Sequence, residues 1–134
     1  MITKDMDSVL FDHAYYLTES LKGEWLPYID LYENETSFFL IIELAGVDKE
    51  DLKITIEDEQ VIKIHGERKN TLKSEKNTSH YKVEIRFGRF ARDLLLPQKI
   101  DTKNILIEQS NGIFKLTLNK KLPKKINVVE LKDP

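Results

Sequence analysis

The segment Ile105–Lys120, ILIEQSNGIFKLTLNK, limits what this chain can fold into more than any other. Asn111-Gly112 lies between two runs of alternating apolar residues. Asn and Gly both tolerate positive φ, which a tight hairpin turn needs at its two central positions. In the second run Phe114, Leu116 and Leu118 share one face, and Lys115, Thr117 and Asn119 take the other. In the first run Ile105 and Ile107 share a face and alternate with Leu106. The spacing predicts a β-hairpin with apolar surface on both sides of its first strand. One face can close a sandwich core. The other is expected to be a groove that receives the chain's own tail.

The residues upstream repeat this theme. Tyr28–Glu33 reads as a short strand and Asn34-Glu35 as a turn. Thr36–Leu44 follows, with Phe38, Leu40, Ile42 and Leu44 on one face and Phe39 and Ile41 on the other. Asp48–Asp51 is an acidic turn. Leu52–Glu57 alternates cleanly, Leu52, Ile54 and Ile56 against Lys53, Thr55 and Glu57. A turn at Asp58-Glu59 leads to Val61–Glu67, with Ile62 and Ile64 inward. Arg68–Ser79 is polar and has no core pattern, so a loop is expected. Tyr81–Phe87 alternates weakly and carries Lys82, Glu84 and Arg86, as an edge or exchanged strand would. Gly88 is expected to end it, and Arg89–Leu96 is a strand stopped by Pro97. Many short strands with turn signals between them indicate an antiparallel β-sandwich. Burying such side chains at about 1.5–3 kcal/mol each is ample for one small core.

The ends differ from this middle. In residues 1–26, Val9, Leu10, His13, Ala14, Leu17 and Leu21 fall near i, i+3, i+4 spacing, with Phe11, Tyr15 and Tyr16 interleaved. A partly helical arm is expected there, ended by Gly23 and Pro27. Residues 27–121 form the sandwich, and 122–134 a tail without a core pattern. At 134 residues the chain suits one domain with modest ends.

Composition excludes several classes of function. There is no cysteine, hence no disulfide framework, thiol nucleophile or thiolate metal site. The net charge of −2 argues against general affinity for nucleic acid or anionic membrane. Lys120, Lys121, Lys124 and Lys125 then read as a solvated tether. MITKDMDSVLFDH places acids ahead of any apolar run and offers no signal-peptide core, so a cytoplasmic location is expected. His13, His65 and His80 are scattered without ligand spacing, and no nucleophile elbow or phosphate loop occurs. No catalytic residues, cofactor or metal are expected.

With these residues in place, the chain closely resembles the small heat-shock proteins, the α-crystallin-domain family. Five pieces occur in family order: WLPYIDLYE at Trp25–Glu33, ELAGVDKEDLKI at Glu43–Ile54, VIKIHGER at Val61–Arg68, GRFARDLLLP at Gly88–Pro97 and NGIFKLTL at Asn111–Leu118. Ile126-Asn127-Val128 is similar to the family's aliphatic tail motif. The family usually has Pro where Ala45 stands, Ala where Ile107 stands, Leu where Phe114 stands and Pro where Asn119 stands. Ile107 narrows the site that would take the tail.

The resemblance implies an immunoglobulin-like sandwich and an ATP-independent holdase that binds unfolding proteins. It implies that Tyr81, Val83 and Ile85 pair with an edge strand of a second copy, forming a homodimer. Arg92, on the same strand face as Phe90, Leu94 and Leu96, aligns with an arginine the family uses at that interface. If Arg92 is buried beside an acid, its loss costs on the order of 3–5 kcal/mol. The strand with Leu52, Ile54 and Ile56 and the strand with Ile105 and Ile107 would border a groove for Ile126 and Val128 of another subunit. Leu10, Phe11, Tyr15, Tyr16 and Leu17 would hold clients. A co-chaperone or adapter of the related CS-domain type remains the alternative, and Ile126-x-Val128 and the long Arg68–Ser79 loop speak against it.

Overall fold

The computed structural model describes residues 23–72 and 75–122. Among these residues seven strands occur in chain order: β1 (Ile29–Glu33), β2 (Ser37–Glu43), β3 (Leu52–Glu57), β4 (Val61–Arg68), β5 (Gly88–Leu95), β6 (Ile100–Ser110) and β7 (Ile113–Lys120). A single 3-10 turn at Lys49–Asp51 leads into β3. The strands form two antiparallel sheets, β1-β2-β7-β6 and β3-β4-β5. This is the expected sandwich.

The core follows from alternation. Phe38, Leu40 and Ile42 of β2 stand opposite Leu118, Leu116 and Phe114 of β7. All six are fully or almost fully buried, as are Ile62, Ile64 and Phe90 of the other sheet. Because side chains alternate along a strand, these residues meet between the sheets, while Phe39 and Ile41 face outward.

Two turns fix the register. Asn111 and Gly112 both have positive φ, 50° and 80°, as the Asn-Gly pair requires. The Gly112 carbonyl accepts a hydrogen bond from Leu44 N at 2.8 Å, which ties the turn to the end of β2. Asp58 and Glu59 are also left-handed, at 54° and 57°. For a glutamate this conformation costs about 1–2 kcal/mol. Compensating bonds surround it. The Glu59 carbonyl accepts from Ile100 N at 2.8 Å, and its carboxylate takes both bonds from Lys121 Nζ at 2.8 and 2.9 Å.

Trp25 belongs to this sandwich although it lies in the stretch read as the arm. It forms a parallel bridge with Phe90 on β5. Its N donates to Arg89 O and its O accepts from Ala91 N, both at 3.1 Å. The indole is buried, donates Nε1 to Gly88 O at 3.1 Å and packs 5.2 Å from the Phe90 ring.

Candidate functional site

Among the described residues β1, β3, β5 and β6 stand at sheet edges, that of β5 partly covered by the Trp25 bridge, and they lie in two pairs. On one side β3 and β6 run alongside each other. Gln109 Nε2 near the end of β6 donates to Val47 O, just before β3, at 3.4 Å. At the other end, the turn after β3 receives Ile100 N, where β6 begins. Leu52, Ile54, Ile56 and Ile105 are half-buried and packed on the core from this side. Ile107 is 37% exposed.

The register alters one expectation. Ile105 and Ile107 stand opposite Leu118 and Leu116, so they point to the inner face of their sheet. Leu106, opposite Thr117, takes the outer face and is exposed. The apolar residues of the expected groove thus lie at the open mouth of the core and not on the far side of the hairpin. Paired positions in an antiparallel ladder share a face, which the alternation of one strand alone does not reveal.

On the other side lie β5 and β1, joined by the short crossing from Trp25 to Ile29. Arg92 is in β5 and only 7% exposed. Its Nη1 donates to Pro27 O at 3.1 Å, so a backbone carbonyl of this crossing is one partner of the buried cation.

The Tyr81–Phe87 segment, read as an edge or exchanged strand, is paired with no strand among the described residues. Tyr81, Val83 and Ile85 are 99%, 76% and 69% exposed. Among the described residues the outer side of β5 is bridged by Trp25 and offers this segment no ladder, which a strand needs. Gly88, with a positive φ of 92°, ends this segment as expected. It opens β5, opposite Arg68 of β4.

Arg68 is a further residue here, to which the sequence reading, placing it at the end of VIKIHGER and the start of a loop, gave no role. Its guanidinium carbon lies 4.3 Å from the centre of the Trp25 ring and 5.8 Å from that of Phe87. Nε donates to Arg86 O at 2.7 Å and Nη1 to Ala45 O at 3.2 Å. Burial lowers its pKa, and the Glu43 carboxylate acts in the opposite sense. Spacing carried no signal for it, because its partners are distant in sequence and two of them are backbone carbonyls.

The basic cluster is partly paired. Lys120 Nζ lies 3.1 Å from Glu33 and Lys121 Nζ 2.8 Å from Glu59. In the acidic turn, Asp51 lies 3.2 Å from Lys69. His65 is half-buried on β4, opposite Lys53 and Ala91. No helix among the described residues is long and apolar enough to cross a membrane. Ile126, Val128, Leu10, Phe11, Tyr15, Tyr16 and Leu17 lie outside the described residues.

These features define a β-sandwich whose distinctive surfaces are sheet edges and exposed apolar side chains suited to association. The profile of the Hsp20/alpha crystallin family matches residues 30–131, and the chain belongs to this family. Heat shock protein 16 of Schizosaccharomyces pombe is 34% identical over 117 residues, spanning 87% of this chain and 81% of that protein. The 22.7 kDa class IV heat shock protein of Pisum sativum is 31% identical over 111 residues. That match takes in 78% of this chain and 56% of the pea protein, so the chain spans little more than half of that relative's length. The solved structure of heat shock protein 16.0 from S. pombe shares the fold, with TM-score 0.64 and 32% identity, covering 80% of this chain and 100% of that one. The proteins it resembles are heat-shock proteins and not enzymes.

Proposed function

We propose that this protein is an ATP-independent holdase that assembles from strand-exchanged dimers and slows the aggregation of unfolding proteins. The observation that carries the reading is the placing of two edge strands on each side of one sandwich, in a chain of this family. Each pair has a candidate occupant elsewhere in the sequence. Tyr81, Val83 and Ile85 alternate along an exposed segment and would add a strand to the free edge β1 of a second copy. Ile126 and Val128 are spaced to place both side chains on one side of an extended tail, as docking between β3 and β6 requires.

Magnitudes favour a dynamic assembly. Burying Ile126 and Val128 contributes ~3–6 kcal/mol in total. Ordering the tail and losing translational freedom offset much of this, so one tail contact binds near the millimolar range, on the order of −4 kcal/mol. Several such contacts around a closed ring or shell hold it together and still permit subunit exchange. Exchange would present Leu10, Phe11, Tyr15, Tyr16 and Leu17 to clients, which are recognised by apolar surface and not by side-chain readout.

The test is the solution mass of the full chain by light scattering, at rest and after mild heating, together with turbidity of a heat-labile enzyme without nucleotide. A multi-subunit assembly that suppresses the turbidity is expected. A stable monomer without protection overturns the proposal.

A further inference from the structure

We propose that Arg68 is a positioning residue that closes the neck of the 69–87 loop and couples it to the root of the N-terminal arm. The inference rests on the strand-exchange reading above and says how the exchanged segment is held.

The geometry is that of a staple. Arg68 is the last residue of β4, and Gly88 opposite it is the first of β5. Everything between them is the loop that carries Tyr81, Val83 and Ile85. The bond from Arg68 Nε to Arg86 O, 2.7 Å long, spans this loop just inside its two ends. The same guanidinium reaches Ala45 O at 3.2 Å and lies over the rings of Trp25 and Phe87. One planar cation therefore holds three separate stretches: the entry of the arm, the end of β2 with its following turn, and the base of the loop. An open hollow of about 560 Å³ lies beside it, lined by Gly23, Trp25 and residues 83–87. The arm root and the loop base thus share a boundary.

The chemistry requires arginine. Two donors in a fixed fork serve two carbonyls while the flat face rests on indole. A lysine amine retains the charge near Trp25 but cannot serve both carbonyls from that position. Without the staple, the loop base is free to swing and the direction in which Tyr81–Ile85 projects is no longer set. A load on the arm that shifts Trp25 would act on the loop through the same side chain.

The experiment uses the full chain and its Arg68→Ala and Arg68→Lys variants. Unlabelled and ¹⁵N-labelled protein are mixed, and subunit exchange is followed by native mass spectrometry. Amide exchange is read separately at 85–88 and in β2 and β7. Trp25 is the only tryptophan, so its emission reports the arm root directly. In Arg68→Ala, subunit exchange should be about tenfold faster, the size expected for loss of a hydrogen bond to a charged donor. Protection at 85–88 should fall while β2 and β7 remain protected, and the Trp25 emission should shift. Arg68→Lys should keep emission near wild type and still exchange fast. Unchanged subunit exchange and unchanged protection at 85–88 in Arg68→Ala overturn the staple. A wild type that forms no dimer removes the strand-exchange reading instead. The neck is then judged by 85–88 protection and Trp25 emission, and no change in either on Arg68→Ala overturns it.

Discussion

Replacing Gly66 with alanine tests how tightly the β3-β4-β5 sheet and the lead-in to β3 are packed together. Gly66 lies on β4, opposite Leu52 on β3 and Phe90 on β5. A methyl group added there would run into the backbone carbonyl of Asp51 and come to 2.7 Å from Phe90 Cζ. Carbon pairs prefer ~3.5–4.0 Å, so the Phe90 ring alone must retreat by roughly 1 Å. It has little room, being fully buried with the Trp25 ring 5.2 Å away. The Asp51 carbonyl belongs to backbone fixed by the 3-10 turn, so it cannot step aside as a side-chain tip would. Overpacking costs about 1–3 kcal/mol, and this site belongs in the upper half. Lower entropy of the unfolded chain returns ~0.4–1 kcal/mol. The net loss is about 2 kcal/mol, which lowers the melting temperature of a domain of this size by roughly 8–16 °C. Scanning calorimetry of Gly66→Ala beside wild type measures it. Because Asp51 leads directly into Leu52, the variant should also form weaker assemblies at a temperature where it is still folded. A variant melting within about 2 °C of wild type would refute the reasoning from close packing.

Two further outcomes are expected. Changing both Ile126 and Val128 to Ser should leave a folded dimer and remove larger assemblies, since the ~3–6 kcal/mol gross burial per tail is lost. Light scattering decides it, and a full-size oligomer from the double variant counts against tail docking. Arg92→Ala leaves the Pro27 carbonyl without its 3.1 Å donor inside the domain. A buried acceptor left unmade costs about 1–3 kcal/mol, so both melting temperature and dimer mass should fall. If neither moves, Arg92 does not support the interface.

Much of the fold could be read from local pattern. The Asn111-Gly112 turn, the inward Phe38, Leu40 and Ile42, and the clean alternation of Leu52–Glu57 each follow from rules acting within a few residues. The family pieces from Trp25 to Leu118 gave their order along the chain. What local pattern did not reveal shares a cause. Tyr81–Phe87 has strand character, but no strand among the described residues pairs with it. Trp25 looked like the end of an arm because its partner, Phe90, is far away in sequence. Arg68 looked like loop polarity because the groups that give it a role are carbonyls and rings brought in from other segments.

The sequence by itself therefore determined the strands, their turns and which residues of each strand are apolar, because those depend on alternation and on the φ a residue can adopt. Only the tertiary structure decided which strands stand at the edges. It also decided that Ile105 and Ile107 point to the inner face of their sheet, Ile105 packed against the core. The seat of Trp25 and the staple made by Arg68 were settled at the same level. Each of these depends on which distant segment comes to lie alongside, and pairing across a sheet leaves no periodic trace in a single strand.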